Sequence, residues 1–376
     1  MNAVFRILVI NPGSTSTKIA IFENDRVLHK ETIEHPSNVI KGFGDVQSQL
    51  DYRKKTIEES VKSWGVPMES IDAFVGRGGG LVTCVGGTYG ITNVLVHDAS
   101  RAASGQHHPA QLASQICKSF MDEFGGVGFV VNPPDTDEFD EIARICGVKG
   151  MYRESRIHAL NQKEIAIRYC AASGKPYSSS NLIICHIGGG VSVTAHRGGR
   201  MVDSNDILNG DGPIMPTRSG SLASLKVVKM AFSGKYAEKE LVDKLNRNGG
   251  LMDHLGTADA LEVERRINGG DLYAKLVYDA MIYQIGKNVG MCACALEGKV
   301  DAIILTGGIS GSRYVTDNLK KYIEWITKVI VMAGEFEMEA LAAGALRVMR
   351  KEEKPLVYSG IPAWSGFNFE GTKYEK

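Results

Sequence analysis

"INPGSTSTKIAIF", residues Ile10–Phe22, sets a glycine, a run of hydroxyls and a lysine between two apolar stretches. The order invites comparison with the loop of P-loop ATPases, which needs glycine just before the lysine and a helix after it. Here Thr17 precedes Lys18, and Ile19-Ala20-Ile21-Phe22 continues as an apolar, β-rich run. A P-loop is excluded, and the segment reads as a strand, a tight hydroxyl-rich turn and a second strand.

The pattern returns. "ILVINPGSTSTKIAIFENDRV" (Ile7–Val27) aligns without a gap on "LIICHIGGGVSVTAHRGGRMV" (Leu182–Val202), a shift of 175 residues (182 − 7). Each copy has an apolar strand, a polar residue at its end (Asn11, His186), a glycine two later (Gly13, Gly188), a second strand and a turn into a third. A second pair follows in the same order: "IDAFVGRGGG" (Ile71–Gly80) and "VDAIILTGGI" (Val300–Ile309), each a short buried strand running into glycines. Either pair alone is ordinary hairpin punctuation, but two pairs in one order indicate an internal duplication. Helical patterns intervene in "PAQLASQICKSFMDEF" and "DLYAKLVYDAMIYQIGKNVGMCACALEG". The Gly/Pro/Ser-rich stretch "CAASGKPYSSSN" (Cys170–Asn181) reads as the junction. Two α/β domains are expected, 1–180 and 181–376, with the aromatic, glycine-rich C-terminal segment able to pack back on the first.

A chain of 376 residues suits two domains. Lys+Arg and Asp+Glu both number 43, so no net field draws the protein to nucleic acid or anionic lipid. The seven cysteines are scattered without metal-ligand spacing, several within apolar runs (Cys185, Cys292, Cys294), and read as reduced core residues. With no leader-like N-terminus and no apolar run of about 18 residues, a cytoplasmic protein without a membrane span is expected.

The two turns offer different means of holding an anion. The first presents the hydroxyls of Ser14, Thr15, Ser16 and Thr17 beside Lys18; the second, Gly188-Gly189-Gly190, presents bare backbone N–H groups able to form a nest. Facing each other across a cleft they would clamp a polyphosphate. "LTGGIS" (Leu305–Ser310) adds a glycine step after a buried strand that suits nucleotide contact.

These hairpins and the late "TGGI" turn resemble the acetate and sugar kinase, Hsp70 and actin superfamily. Within it, "NPGSTSTKIA", "GRGG", "HIGGGVSV", "PTRSG", "VDAIILTGGI" and "GEFEMEALAAGALRV" resemble the acetokinase family, and among its members the butyrate kinases, nearly end to end. The resemblance implies two duplicated ribonuclease H-like (actin-like ATPase) domains around a central nucleotide cleft. It implies that ATP phosphorylates a short-chain carboxylate, giving butanoyl phosphate and ADP from butanoate, with acetate, propionate and branched-chain acids as neighbouring substrates. An ATP-switched hinge protein of the Hsp70 kind is the alternative of another class, against which Arg77, Arg218 and His186 weigh. A homodimer or a multiple of dimers is implied.

The residue roles follow from the same resemblance. A carboxylate is already ionised at neutral pH, its pKa lying near 4, so the reaction needs cations and alignment rather than a base. Arg77 and Arg218 match the arginines that bind the acyl carboxylate and the phosphoryl in transfer, and His186 matches a phosphoryl ligand. A second family histidine falls on His107 or His108, whose "GQHHPAQL" aligns either way. ATP and phosphate contacts are implied for Asn11, Ser14, Ser16, Lys18, Gly188, Gly189, Gly190, Gly307, Gly308 and Ile309. Mg²⁺ is expected mainly on the phosphates, with Glu335 and Asn11 as its protein contacts. Asn132 stands where the family usually has aspartate; its amide can orient a water or arginine without charge, and Asp135 could substitute. Acetate kinases place β-branched residues after the arginine, so Gly78 and Gly79 imply a roomier acyl pocket. Each extra buried methylene there would add about 0.8 kcal/mol.

Overall fold

The computed structural model describes residues 3–367. It forms two compact units: Phe139–Glu335 is one, and the described residues before and after it form the other.

In the first unit, β1 (Arg6–Pro12), β2 (Ser16–Glu23), β3 (Arg26–Glu34), β4 (Ala73–Gly76), β5 (Thr88–Gly90) and β6 (Val127–Val131) form one sheet in the order β3-β2-β1-β4-β6-β5. β1 is apolar along its length and buried on both faces, as a central strand must be. β3, at the edge, alternates charged exposed and partly buried residues, which discourages pairing with a further strand. Leu8, Ile10, Ile19, Ile21, Phe74 and Val130 share a core with Leu112, Ile116 and Phe120 of the Leu112–Phe124 helix. The Glu337–Met349 helix also packs on β1, β4 and β6.

The second unit holds β7 (Asn181–Ile187), β8 (Val191–Arg197), β9 (Arg200–Ser204), β10 (Ala302–Thr306) and β11 (Val329–Val331), ordered β11-β10-β7-β8-β9. Read from the other edge, this is the order of the first sheet without its last strand. In both, the first strand pairs antiparallel with the second and parallel with the fourth of its own sheet order. Even the irregularity in the second hairpin recurs, at Ile21/Phe22 and at Ala195/His196. The duplication read from sequence is thus a duplication of topology.

The Cys170–Asn181 stretch lies inside the second unit. The Ala159–Ser173 helix ends at Gly174 in a left-handed conformation, and a short turn at Tyr177–Ser179 leads directly into β7. Gln162 Nε2 donates to Ile184 O, and Lys163 Nζ to Gly199 O, so this helix is fastened to the sheet that follows it. The stretch that composition marked as the junction is a tight helix-to-strand connection, and the chain passes between units at 138/139 and 335/336. The C-terminal segment returns to the first unit. Leu356 bonds to Thr88 and Gly90, and Tyr358 Oη donates to Asp98 while accepting from Val82 N. Its residues 368–376 lie outside the described residues.

The Leu272–Ala295 helix has two apolar faces. Val277, Met281, Ile285 and Val289 are core, while Leu272, Leu276 and Met291 are exposed. Cys185 and Cys292 are buried, but Cys294, two residues round the helix, is exposed. No helix among the described residues is long and apolar enough to cross a membrane.

Two buried histidines sit behind the hairpins. His35 pairs with Thr17 Oγ1 at 2.8 Å, and burial together with the Arg53 charge lowers its pKa to about 4. His196 pairs with Gln162 and Tyr177, and burial, then Lys163, lowers it to about 3. Their ordinary value is 6.5. The unfolded chain therefore takes up protons that the folded protein refuses, and stability falls as pH drops from about 6.5 toward 4. His35→Gln should flatten that slope by up to about 1.4 kcal/mol per pH unit, measured by urea unfolding across the range.

Candidate active site

Because β1 and β4 are parallel neighbours, their C-terminal ends emerge at one edge of the sheet. Asn11 lies at the end of β1, and Arg77 follows β4 with its N–H on Ile10 O. Glu337, the first residue of the Glu337–Met349 helix, accepts from both: Arg77 Nη1 at 2.6 Å and Asn11 Nδ2 at 3.0 Å. Arg77 Nε is buried and has no partner among the described residues. The guanidinium is thus anchored through Nη1, and the side chain stays partly exposed. A carboxylate or phosphoryl oxygen suits that position.

The two adjacent histidines part company here. His108 caps the turn at Pro109–Gln111, its Nδ1 accepting from Ala110 N at 3.1 Å, so the neutral ring carries its proton on Nε2. The surrounding chain, then the charges of Arg77 and Arg53, hold its pKa below the usual histidine range. Both rings are exposed, but the Arg77 charge acts on His108. Of the pair, His108 is the one beside Arg77.

The hydroxyl turn is held from behind. Thr17 faces inward, toward His35 and Arg53, while Ser14, Thr15 and Lys18 are exposed. Lys18 stands directly across from Asn11 in the β1–β2 register and is unpaired among the described residues.

Asn132 has a different task from the one expected. It sits at φ 39° and is buried; its Oδ1 accepts from Gly87 N at 2.8 Å, and its own N–H donates to Gly87 O. Asn132 thereby locks two turns together, through an acceptor oxygen that an aspartate would also supply. Asp135 likewise accepts from Leu81 N. The glycines after Arg77 also have a backbone reason. Gly78, Gly79 and Gly80 all have positive φ, and a Cβ on Gly78 would run into Val130. The space beside Gly78 is filled, so its lack of a side chain does not widen an acyl pocket there. Gly79 faces Ala110 at ordinary contact distance, 3.4 Å from where its Cβ would lie.

The second unit brings together His186, Arg218, Glu335 and the glycine turn, and adds His158, which sequence reasoning missed. His186 ends β7, buried, with Nδ1 2.9 Å from Asn161 Oδ1. Its ring stacks on His158 with centroids 3.9 Å apart, and His158 Nδ1 meets Ser192 Oγ at 2.9 Å. Arg218 donates to Asn246 and reaches Gly190 so closely that a Cβ on that glycine would clash with its guanidinium. That Cβ would also lie 3.2 Å from the His158 ring. Burial lowers the Arg218 pKa from its very high ordinary value, with Asp206 opposing. A Cβ on Gly188 would lie 3.1 Å from His186 Nε2 and 3.3 Å from Glu335 Oε1. Glu335 thus belongs with the histidine cluster, and the carboxylate beside Asn11 is Glu337.

Gly307 is required by its φ of 89° and by its approach to the Ile187 carbonyl, whereas Gly308 and Gly189 border open space. His158, just before the Ala159–Ser173 helix, and Asn161, in its first turn, stand three residues apart in "HALN", a helical spacing. Only the stacking on His186 gives them meaning.

Residues 150–329 match the acetokinase family. His158, His186, the Gly188–Gly190 turn, Arg218 and the Gly307–Ile309 step fall within that match. Among solved structures, the chain is similar to an acetate kinase from Porphyromonas gingivalis, with TM-score 0.72 and 19% identity over 92% of this chain and 99% of that one. A propionate kinase from Francisella tularensis subsp. tularensis SCHU S4 gives 0.70 and 20% over 90% and 98%. The acetate kinase from Entamoeba histolytica gives 0.73 and 17% over 90% and 98%. The protein therefore has the two-domain, actin-like fold of the acetate kinases.

Gly78→Ala should destabilise the protein by about 2 kcal/mol or more through strain and overpacking on Val130. Urea unfolding measures this; a side chain entering an open pocket would cost far less.

Proposed function

We propose that this protein is an ATP-dependent kinase of short-chain carboxylates, forming an acyl phosphate by direct in-line transfer. The observation that carries the reading is Arg77, anchored on Glu337 through Nη1 while its side chain stays partly exposed. An ionised acid can dock on it without a base to activate the acid. The carboxylate oxygen attacks the γ-phosphorus of ATP, the bond to the bridging oxygen breaks, and ADP leaves with the electron pair. No proton need move.

Arg218, His158 and His186, gathered at the Gly188–Gly190 turn, supply the cationic and hydrogen-bonding groups that phosphoryl oxygens require. Gly189 and Gly308, both open to space, let a nucleotide approach the backbone. Ser14, Ser16 and Lys18 serve the phosphates on the first turn, and His108 is the histidine placed to assist Arg77. Magnesium fits the donors present: with its Nδ2 given to Glu337, the Asn11 amide keeps its oxygen for a hard cation. No group of three acidic, histidine or cysteine side chains is assembled for a metal among the described residues. Asn11 would therefore hold it together with phosphate oxygens and water. Bound there, it would neutralise phosphate charge.

Butanoate is the acid proposed, on the motif resemblance to butyrate kinases. The named acetate and propionate kinases of similar fold make those acids its competitors. The exposed apolar face of the Leu272–Ala295 helix supports a homodimer or a multiple of dimers.

Arg218→Ala should lower acyl phosphate formation by roughly a thousandfold while ATP binding persists. Hydroxamate trapping and calorimetric titration of ATP measure the two separately. In the same assay the wild type should favour butanoate over acetate by roughly tenfold in kcat/KM, from two further buried methylenes. Equal values would make acetate or propionate the better reading of its substrate.

A further inference from the structure

Arg53 is the largest fully buried side chain, at 0% exposure, and lies on the Leu50–Ser63 helix behind the hydroxyl turn. Among the described residues it has no carboxylate partner. Its donors go instead to the turn: Nη1 to Ser16 O at 3.1 Å and to Thr17 Oγ1 at 2.9 Å, and Nη2 to Ser14 O at 3.3 Å. Nε is taken by Gln49 Oε1 at 3.0 Å. The remaining carbonyl of the turn, Thr15 O, accepts from His35 N, and Ser16 O also receives Gly13 N.

The carbonyls of Ser14, Thr15 and Ser16 are therefore all drawn into the protein. The amides of Ser14 and Thr15 have no partner among the described residues, and both residues are exposed. A turn with its carbonyls turned inward and its N–H groups outward is a concave donor surface for an anion. An unneutralised guanidinium directly behind it adds a fixed positive charge in a place of low polarizability. A buried cation without a counter-ion is costly, and among the described residues this one is met by neutral acceptors: the Ser14 and Ser16 carbonyls, Thr17 Oγ1 and Gln49 Oε1.

We infer that Arg53 is a positioning residue for phosphate, orienting the Ser14–Ser16 turn and electrostatically polarising it toward a polyphosphate chain. The inference rests on the kinase reading only in taking that chain to be ATP's. It commits to an anion, not to a particular nucleotide.

Arg53→Met and Arg53→Lys, made in the full chain, test it, with tripolyphosphate as a probe in titration calorimetry. Arg53→Met should weaken tripolyphosphate binding by roughly tenfold, the scale of one charge-assisted contact. It should raise the KM for ATP by a similar factor while leaving the KM for the carboxylate unchanged. A purely structural loss would reduce the active fraction and kcat without separating the two KM values. Arg53→Lys keeps the charge but not the fork, and should recover part of the affinity. Melting curves establish that each variant is folded. Should Arg53→Met fail to fold, a folded Arg53→Lys with two- to fivefold weaker binding supports the inference. Either variant, folded and binding tripolyphosphate as the wild type does, overturns it. If the wild type forms no acyl phosphate yet the tripolyphosphate losses appear, the kinase reading fails and the role of Arg53 stands.

Discussion

The carboxylate of Glu337 joins three parts of the chain that are far apart in sequence. One oxygen takes the amide of Asn11, at the end of the first strand; the other takes Arg77, in the loop after the fourth. Without it, Arg77 would stand partly buried with its charge unmatched, a state that costs far more than an exposed ion pair contributes. With it, the guanidinium is fixed by one nitrogen and can still offer others. The arrangement of the parallel strands makes this possible, because β1 and β4 deliver both residues to one sheet edge.

The second unit solves a related problem with different residues. Its turn has glycines where the first has hydroxyls, and the reason is visible at Gly190, where Arg218 and His158 press into the space a Cβ would take. Hydroxyls occupy the first turn because nothing crowds it from the front; it is Arg53, behind, that shapes it. Two repeats with one topology are thus shaped by opposite means, side chains approaching in front in one case and a buried cation behind in the other.

Much of this was legible in the sequence. The duplicated hairpins announced themselves by matching polarity at a fixed shift, and strand order, register and even the hairpin irregularity followed. Arg77, Arg218 and His186 were singled out by glycine, proline or strand-end contexts together with the resemblance to the acetokinase family. His158, Asn161, Glu337 and Arg53 were not, because each acquires its role from a partner distant in the chain or from burial that no local pattern encodes. Arg53, in "DYRKKT", has the look of an exposed helical charge. The glycines after Arg77 invited a reading about ligand space, when their positive φ and the crowding by Val130 account for Gly78. Composition likewise marked a linker at Cys170–Asn181 that the fold uses as a tight helix-to-strand connection.

The discontinuity of the first unit bears on how the molecule is born. Phe139–Glu335 is an unbroken stretch and has all its strands in hand before synthesis ends, whereas the first sheet lacks the helix that covers one part of it until residues past 336 have emerged. Domains fold as units when their chain is available. The earlier-made unit must therefore wait for the later-made one to be finished, with its central strands incompletely covered in the interval. Glu337 is made after every strand of both sheets, so Arg77 and Asn11 are brought to order only once the second unit has been synthesised.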